Sequence, residues 1–445
     1  MRREISARKK SALALVLCLL VAVSGLGAQA TKVKLSYWFF PVYITVPGYE
    51  ANSQAFGDWE NYMIAEFKKV HPEIEVVPEL QSWVGGVDKI NVAIAGGNPP
   101  DVVFDYLGRT GGWYSQGAGV PLDTLLSKSM IDDILPAYKG LYTINGKLHA
   151  YPAMAWIQMN MFNKFLYDKY GVGAYLPANG TTQTFDDFKA RLVAAKKAFP
   201  KGVAPYSLAC GSEQGDYVWW EFIWGFGGKL FDKNGKVAVN SPETVEALKF
   251  LLSLDKEGLI TPGVASLKSG DILNQLYTNK TGGWAGNRGN YSALVAAVNQ
   301  GTIEGPAAIS LFPFPTKPGI SPTVALGPTG FIVMSKDPAK QKAAAAFIEF
   351  CMQPKYIAAA IKAAGQLPAT KSTASLNIYK GDPLGETMQE IAGKYPAGDF
   401  GVSSPSYNKI RTELAAQLQA MFSGLKTPEK TAADLEAALK KILNQ

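Results

Sequence analysis

The chain has 445 residues, 47% of them hydrophobic and 18% charged, with a formal net charge of +7. Arg2, Arg3, Arg8, Lys9, Lys10 and Glu4 crowd the N-terminus and leave only +3 beyond residue 30, so the charge gives no reason to expect a nucleic acid partner. Three cysteines and two histidines exclude a disulfide-built scaffold and a histidine metal site, and the length asks for two lobes rather than one core.

The basic residues open a secretory leader. An apolar run from Ala12 to Val23 follows, then Ala28-Gln29-Ala30, a small-x-small cleavage pattern. The run is too short to span a bilayer. Residues 1–30 are therefore expected to be a signal peptide, with export to the periplasm or the cell exterior. Cys18 follows Val16 and Leu17 rather than a small residue, so lipid anchoring is not expected. No later stretch is long and apolar enough to cross a membrane, and a soluble protein is expected.

Beyond the leader, strand and helix patterns alternate. Lys32 to Phe40 (KVKLSYWFF) reads as a strand. Asp58 to Val70 reads as a helix ended by His71-Pro72. Ile74 to Val77, Val87 to Ala95 and Asp101 to Phe104 continue as strand, helix and strand, the βαβαβ unit of a doubly wound sheet. Helices are predicted from Thr184 to Ala198, with a threonine cap and Asp186 and Asp187 in the first turn. Others run from Ser241 to about Glu257, from Pro338 to about Met352, and from Thr427 to the C-terminus.

Enzyme signatures are thin. No HExxH, CxxC, P-loop or GxSxG element occurs beyond the leader. Gly25-Leu26-Gly27-Ala28-Gln29-Ala30 imitates a dinucleotide fingerprint, but it lies in the leader and follows no strand. The acidic pairs Asp132-Asp133 and Asp186-Asp187 read as helix-start residues, whereas a glycosidase needs carboxylates opposed across its substrate. No catalytic residue, metal site or cofactor is expected.

Aromatic residues carry more information. Trp38, Trp83, Trp113, Trp156, Trp219, Trp220 and Trp284 fall at predicted element ends, and in open α/β sheets ligands bind at the carboxyl ends of strands. A tryptophan there offers a broad apolar face with little rotamer freedom to lose, which suits the C–H face of a pyranose. In the run GDYVWWEFIWGFGG a helix over 217–226 puts Tyr217, Trp220 and Trp224 on one face. Tyr217 with Trp219 or Trp220 is expected to be platform, and Trp224 with Phe226 core. Trp284 is the foremost stacking candidate, because glycines on both sides leave it nothing local to pack against.

From Leu35 to Leu126 the order of elements, with FKKVHPEIEVV and VAIAGGNPPDVVFDYLGRTGGWYSQGAGVPLD, resembles the extracellular solute-binding proteins of ABC importers. Within them it is similar to the sugar-binding group that includes maltose-binding protein. INGKLHAYPAMAWIQMNMFNKFLYDKYGV, TTQTFDDFKARLVAAKK, LYTNKTGGWAGN, ALGPTGFIVMSKDPAKQKAAAAFIEF and GQLPATKS continue the family's order across the chain. The resemblance implies an α/β fold of periplasmic-binding-protein type II: two lobes, each with a central mainly parallel sheet, and a ligand cleft between them. It implies an N-terminal lobe of 31–151 plus 329–371 and a C-terminal lobe of 152–328 plus 372–445, with the chain crossing near 151–155, 327–331 and 371–375. Asp105 and Arg109 would fork onto ligand hydroxyls, Tyr217 and Trp156 would line the site, and Tyr407 would stand as a late cleft aromatic. Trp38 and Trp83 would contribute from the N-terminal lobe. The long aromatic loop FFPVYITVPGYEANSQAFG departs from the maltose binders and is expected to remodel one end of the cleft.

The resulting expectation is a monomeric receptor that captures a sugar, in the first place an oligosaccharide, by stacking and lobe closure, and delivers it to the membrane permease subunits of an ABC importer. Two alternatives stand beside it. One is a secreted carbohydrate-active enzyme; the other is a binding protein for a different cargo, such as a peptide or polyamine.

Overall fold

The computed structural model describes residues 32–42, 55–83 and 85–445. Residues 1–31, where a leader is expected, and residues 43–54 of the long aromatic loop lie outside the described residues. The strands that matter here are β1 (Val33–Phe39), β2 (Ile74–Leu80), β3 (Val102–Tyr106), β4 (Tyr151–Ile157), β5 (Met159–Asn163), β6 (Gly283–Gly286), β7 (Ile309–Phe312), β8 (Leu326–Val333) and β9 (Leu367–Pro368). The helices are α1 (Asp58–Val70), α2 (Gly86–Ala95), α3 (Leu107–Ser115), α4 (Phe185–Ala198), α5 (Asp216–Phe226), α6 (Pro242–Lys256), α7 (Pro338–Cys351), α8 (Tyr407–Phe422) and α9 (Pro428–Leu443).

The six-stranded sheet has the order β9-β4-β8-β3-β1-β2, and the smaller sheet the order β6-β5-β7. The βαβαβ unit read from the sequence forms as expected: β1 pairs with β2 and β3, both in parallel. β3 is buried at all five positions, the mark of a central strand with both faces covered. Asp101, just before β3, accepts from Ser36 N at 2.8 Å and Ser36 Oγ at 2.9 Å, and from Lys340 Nζ at 3.1 Å. That carboxylate ties β3 to β1 and to α7.

The expectation of mainly parallel sheets needs correction. β8 is antiparallel to both β3 and β4, β9 is antiparallel to β4, and β5 is antiparallel to both of its neighbours. The physical reason for β8 is its direction of travel. β4 carries the chain out of the larger sheet, and β8 carries it back from the smaller one, so it must run the opposite way. The first passage between sheets falls at Gln158, whose N–H donates to Ala325 O at 3.0 Å. Residues 151–155 lie inside β4 and 327–331 inside β8.

Helix starts follow their sequence signals. Thr184 caps α4 in a reciprocal box with Asp187. Ser241 caps α6, with Pro242 at its first position. Cys210 and Cys351 are buried free thiols.

Glu60 is one of several core groups whose titration burial shifts. Glu60 on α1 is 1% exposed, and burial pushes its carboxyl up to about 8. Between the unfolded value near 4.5 and 8 the folded chain holds a proton that the unfolded chain releases, so stability falls as pH rises through that window. Glu60→Gln should flatten the profile and gain about 1–3 kcal/mol over wild type near pH 8. Urea denaturation at three pH values checks this; a wild-type profile as flat as the variant's would refute it.

Candidate binding site

The carboxyl ends of β1 and β3 open onto a cavity of about 670 Å³ between the larger sheet and the elements around the smaller one. This volume lies within the roughly 300–1,000 Å³ usual for small-molecule sites. β3 runs directly into α3, so Asp105 and Tyr106 end the strand and Arg109 lies in the first turn of the helix, four residues from Asp105.

Arg109 Nε donates to Asp105 Oδ2 at 2.7 Å, and its Nη2 donates to Oδ1. The result is a buried two-toothed pair. The guanidinium lies 4.9 Å from the Phe40 ring centre, 5.6 Å from Trp83 and 5.8 Å from Tyr106, within cation–π range of all three. Trp83 stacks on Phe40 at 4.8 Å and remains 45% exposed.

Trp156 reaches the cavity from β4. Its ring stacks with Tyr106 at 5.8 Å and 17°, and Tyr217 approaches it at 4.6 Å. The seat for this indole is Gly327 on β8, where a Cβ would overlap the ring. Tyr217 comes from the first turn of α5, and Tyr407 opens α8. The Tyr407 ring fills the space over Gly108, where no side chain fits.

A second ion pair closes the floor. Arg411 Nη2 donates to Asp216 Oδ1 at 2.9 Å and to Glu213 O at 2.8 Å, and Tyr407 Oη donates to Asp216 Oδ2 at 3.1 Å. Burial raises the Asp216 carboxyl, and the Arg411 guanidinium works against that shift. Burial disfavours the charge on Arg411, but Asp216, Tyr407, Tyr106 and Glu213 together outweigh burial and hold the guanidinium charged. Both cations that line the cavity are thus matched by a carboxylate.

Of the residues singled out from the sequence, Asp105, Arg109, Trp83, Trp156, Tyr217 and Tyr407 line this cavity. Trp219, Trp220, Trp284 and Trp38 do not. Trp219 and Trp220 are core, because α5 is apolar nearly all round and is buried on every face. Trp219 packs against Phe422 at 5.4 Å. Trp224 and Phe226 are core as expected. Trp284 is fully buried: its flanking glycines admit neighbours instead of exposing it. A Cβ on Gly283 would crowd Phe162 and Tyr206, and one on Gly286 would collide with the Trp284 indole itself. Trp38 stands opposite Glu79 of β2 with the Lys89 ammonium 4.8 Å from its ring.

Arg411, Phe40, Asn287 and Gln366 also line the cavity and were not singled out. Arg411 had a usable signal, one helical turn after Tyr407 in SYNKIR. Phe40, Pro41, Val42 and Phe56 bring both described ends of the long aromatic loop to the cavity. Among the described residues no group of three or more His, Cys, Asp and Glu is placed to hold a metal, and no helix is long and apolar enough to cross a membrane.

Residues 50–358 match the family described as bacterial extracellular solute-binding protein. A putative binding protein of Brucella abortus (strain 2308) is 22% identical over 408 residues, covering 91% of this chain and 93% of its own. An ABC transporter solute-binding protein of Thermotoga lettingae bound with α-D-tagatose superposes with a TM-score of 0.76 at 21% identity, covering 93% of this chain and all of the other. The MalE3 protein of T. maritima with maltose gives 0.76 at 18%, covering 92% and 100%. UgpB of Mycobacterium tuberculosis with glycerophosphocholine gives 0.74 at 20%, covering 93% and 99%. At these identities the superpositions establish a shared fold.

Proposed function

This chain belongs to the bacterial extracellular solute-binding proteins, and from that premise we propose that it captures a neutral sugar in the aromatic cavity, closes its two lobes on it and delivers it to the permease subunits of an ABC importer. The observation that carries the reading is the cavity's combination of rings and compensated charge. Trp83, Trp156 and Tyr217 supply stacking surface. Arg109 and Arg411 supply directed donors, while Asp105 and Asp216 cancel their charge. Such a surface fits hydroxyl pairs on an uncharged ring, because no net charge is left to select an anion. Tagatose and maltose in the related folds support this reading, and the cavity volume has room for more than one sugar ring.

The two sheets are taken as the lobe cores, with the first border at Gln158 and the return just before β8. Closure would bring Asn287 and its neighbours against the larger sheet and complete the ligand's hydrogen bonds. The protein acts as a monomeric receptor, not an enzyme, and is exported by its leader without a lipid anchor. Tryptophan-fluorescence and thermal-shift titrations against a panel of mono- and oligosaccharides test this, with product analysis on each hit. A saturable spectral change and a raised melting temperature, with the sugar recovered intact, are expected. Cleavage of the sugar would replace the receptor with an enzyme. Binding of glycerophosphodiesters or peptides in place of every sugar would overturn the cargo.

A further inference from the structure

A smaller pocket of about 120 Å³ branches from the cavity beneath Tyr217. Tyr217 and Asn287 line both spaces, while Gln158 and Trp284 line the pocket alone. Resting on the sugar-receptor reading, we infer that this pocket is a subsite for the acetamido group of a 2-acetamido sugar.

Three observations converge on that chemistry. First, no charged side chain lines the pocket, so a carboxylate, phosphate or ammonium substituent would enter without a counter-charge and lose its hydration. Second, residues with unspent hydrogen-bonding groups line it. The Trp284 Nε1–H is buried and has no acceptor among the described residues. Gln158 is 2% exposed, and its side-chain amide has no partner among the described residues. Asn287 accepts through its side chain from Gly289 N at 2.9 Å and from the Asn290 N–H of the helix cap. Buried polar groups left open in this way are ordinarily completed by water or ligand, and a carboxamide is both donor and acceptor, matching the N–H and C=O of an acetamido group. Third, Leu208 and Ile272 form an apolar wall in the same pocket. A hydroxyl would leave that wall uncovered; an acetyl methyl covers it. The pocket's volume, against 670 Å³ for the main cavity, suits a substituent and not the body of a ligand.

The test is calorimetric titration of the purified protein with matched sugar pairs that differ only in an acetamido group for a hydroxyl. Suitable pairs are N-acetylglucosamine and glucose, N-acetylgalactosamine and galactose, and diacetylchitobiose and cellobiose. At least one acetamido member should bind about tenfold or more tightly than its partner, about one strong buried hydrogen bond with its apolar contact. Gln158→Leu, which keeps the side-chain bulk and the backbone bond to Ala325, should cut that ratio to about threefold or less while the parent sugar's affinity holds. Parent sugars that bind as tightly as their acetamido partners would overturn the subsite and leave the receptor intact. An acetamido preference untouched by Gln158→Leu would move the acetyl group elsewhere and likewise overturn it. A panel in which no sugar binds at all would overturn the receptor reading, and the subsite with it.

Discussion

Replacing Arg411 with alanine is expected to lower the free energy of unfolding by about 3–5 kcal/mol, the usual cost of stranding one partner of a buried ion pair. Arg411 and Asp216 are each 4% exposed, and Asp216 would keep only the Tyr407 hydroxyl and the start of α5 to offset its charge. The loss should depend on pH in a defined direction. Without its cation, Asp216 is left with a folded-state pKa raised further by burial. The folded variant then holds a proton that the unfolded chain releases above its ordinary value near 3.8. The deficit therefore grows as pH rises from that value toward neutrality and shrinks in acid. Arg411→Lys keeps the charge but loses the planar fork, and should recover only part of the stability. Chemical denaturation of the three proteins at about pH 4.5 and about pH 7.5 decides the matter. A deficit that is equal at both pH values would show that the ion pair is not what the alanine removes.

Trp156→Ala is expected to weaken ligand binding by about 2–3 kcal/mol, a factor of roughly 30 to 150, as for a well-packed aromatic hot spot. Trp156 is half-buried, so its loss should cost less in folding than in binding. The indole is held in place by Tyr106, Tyr217 and the bare Gly327 backbone, and this gives the prediction an internal control. Gly327→Ala adds one methyl group where the ring lies, on a strand whose backbone accepts alanine. It should therefore reproduce most of the binding loss in the wild-type background and almost none in Trp156→Ala. Calorimetry on the four proteins of that cycle, with the sugar found by titration, supplies the measurement. Affinity within threefold of wild type in Trp156→Ala would place the ligand outside the aromatic cavity.

The split between what was and was not legible is clearest in the tryptophans. Trp156 and Trp284 look alike in sequence, each near a strand end with small residues nearby. One lines the cavity, and the other is fully buried. Flanking glycines signal close approach of something, but not whether that something is a ligand or the next strand. GDYVWWEFIWGFGG shows the same limit: a helix apolar on every side is buried on every side, and only Tyr217, at its first turn, reaches the opening.

Local chemistry is therefore what the residues alone make legible. The periodicity of residues 58–70, the threonine and serine caps at 184 and 241, and the βαβαβ order of the first strands depend on neighbours a few positions apart. The adjacency of Asp105 and Arg109 is likewise one helical turn. The tertiary structure alone decided which aromatic faces remain free, where the chain changes sheets, and that Arg411 meets Asp216 across 195 residues. Those facts rest on which surfaces are covered once two sheets and their helices pack together, and burial of that kind is a property of the whole chain's contacts rather than of any short stretch.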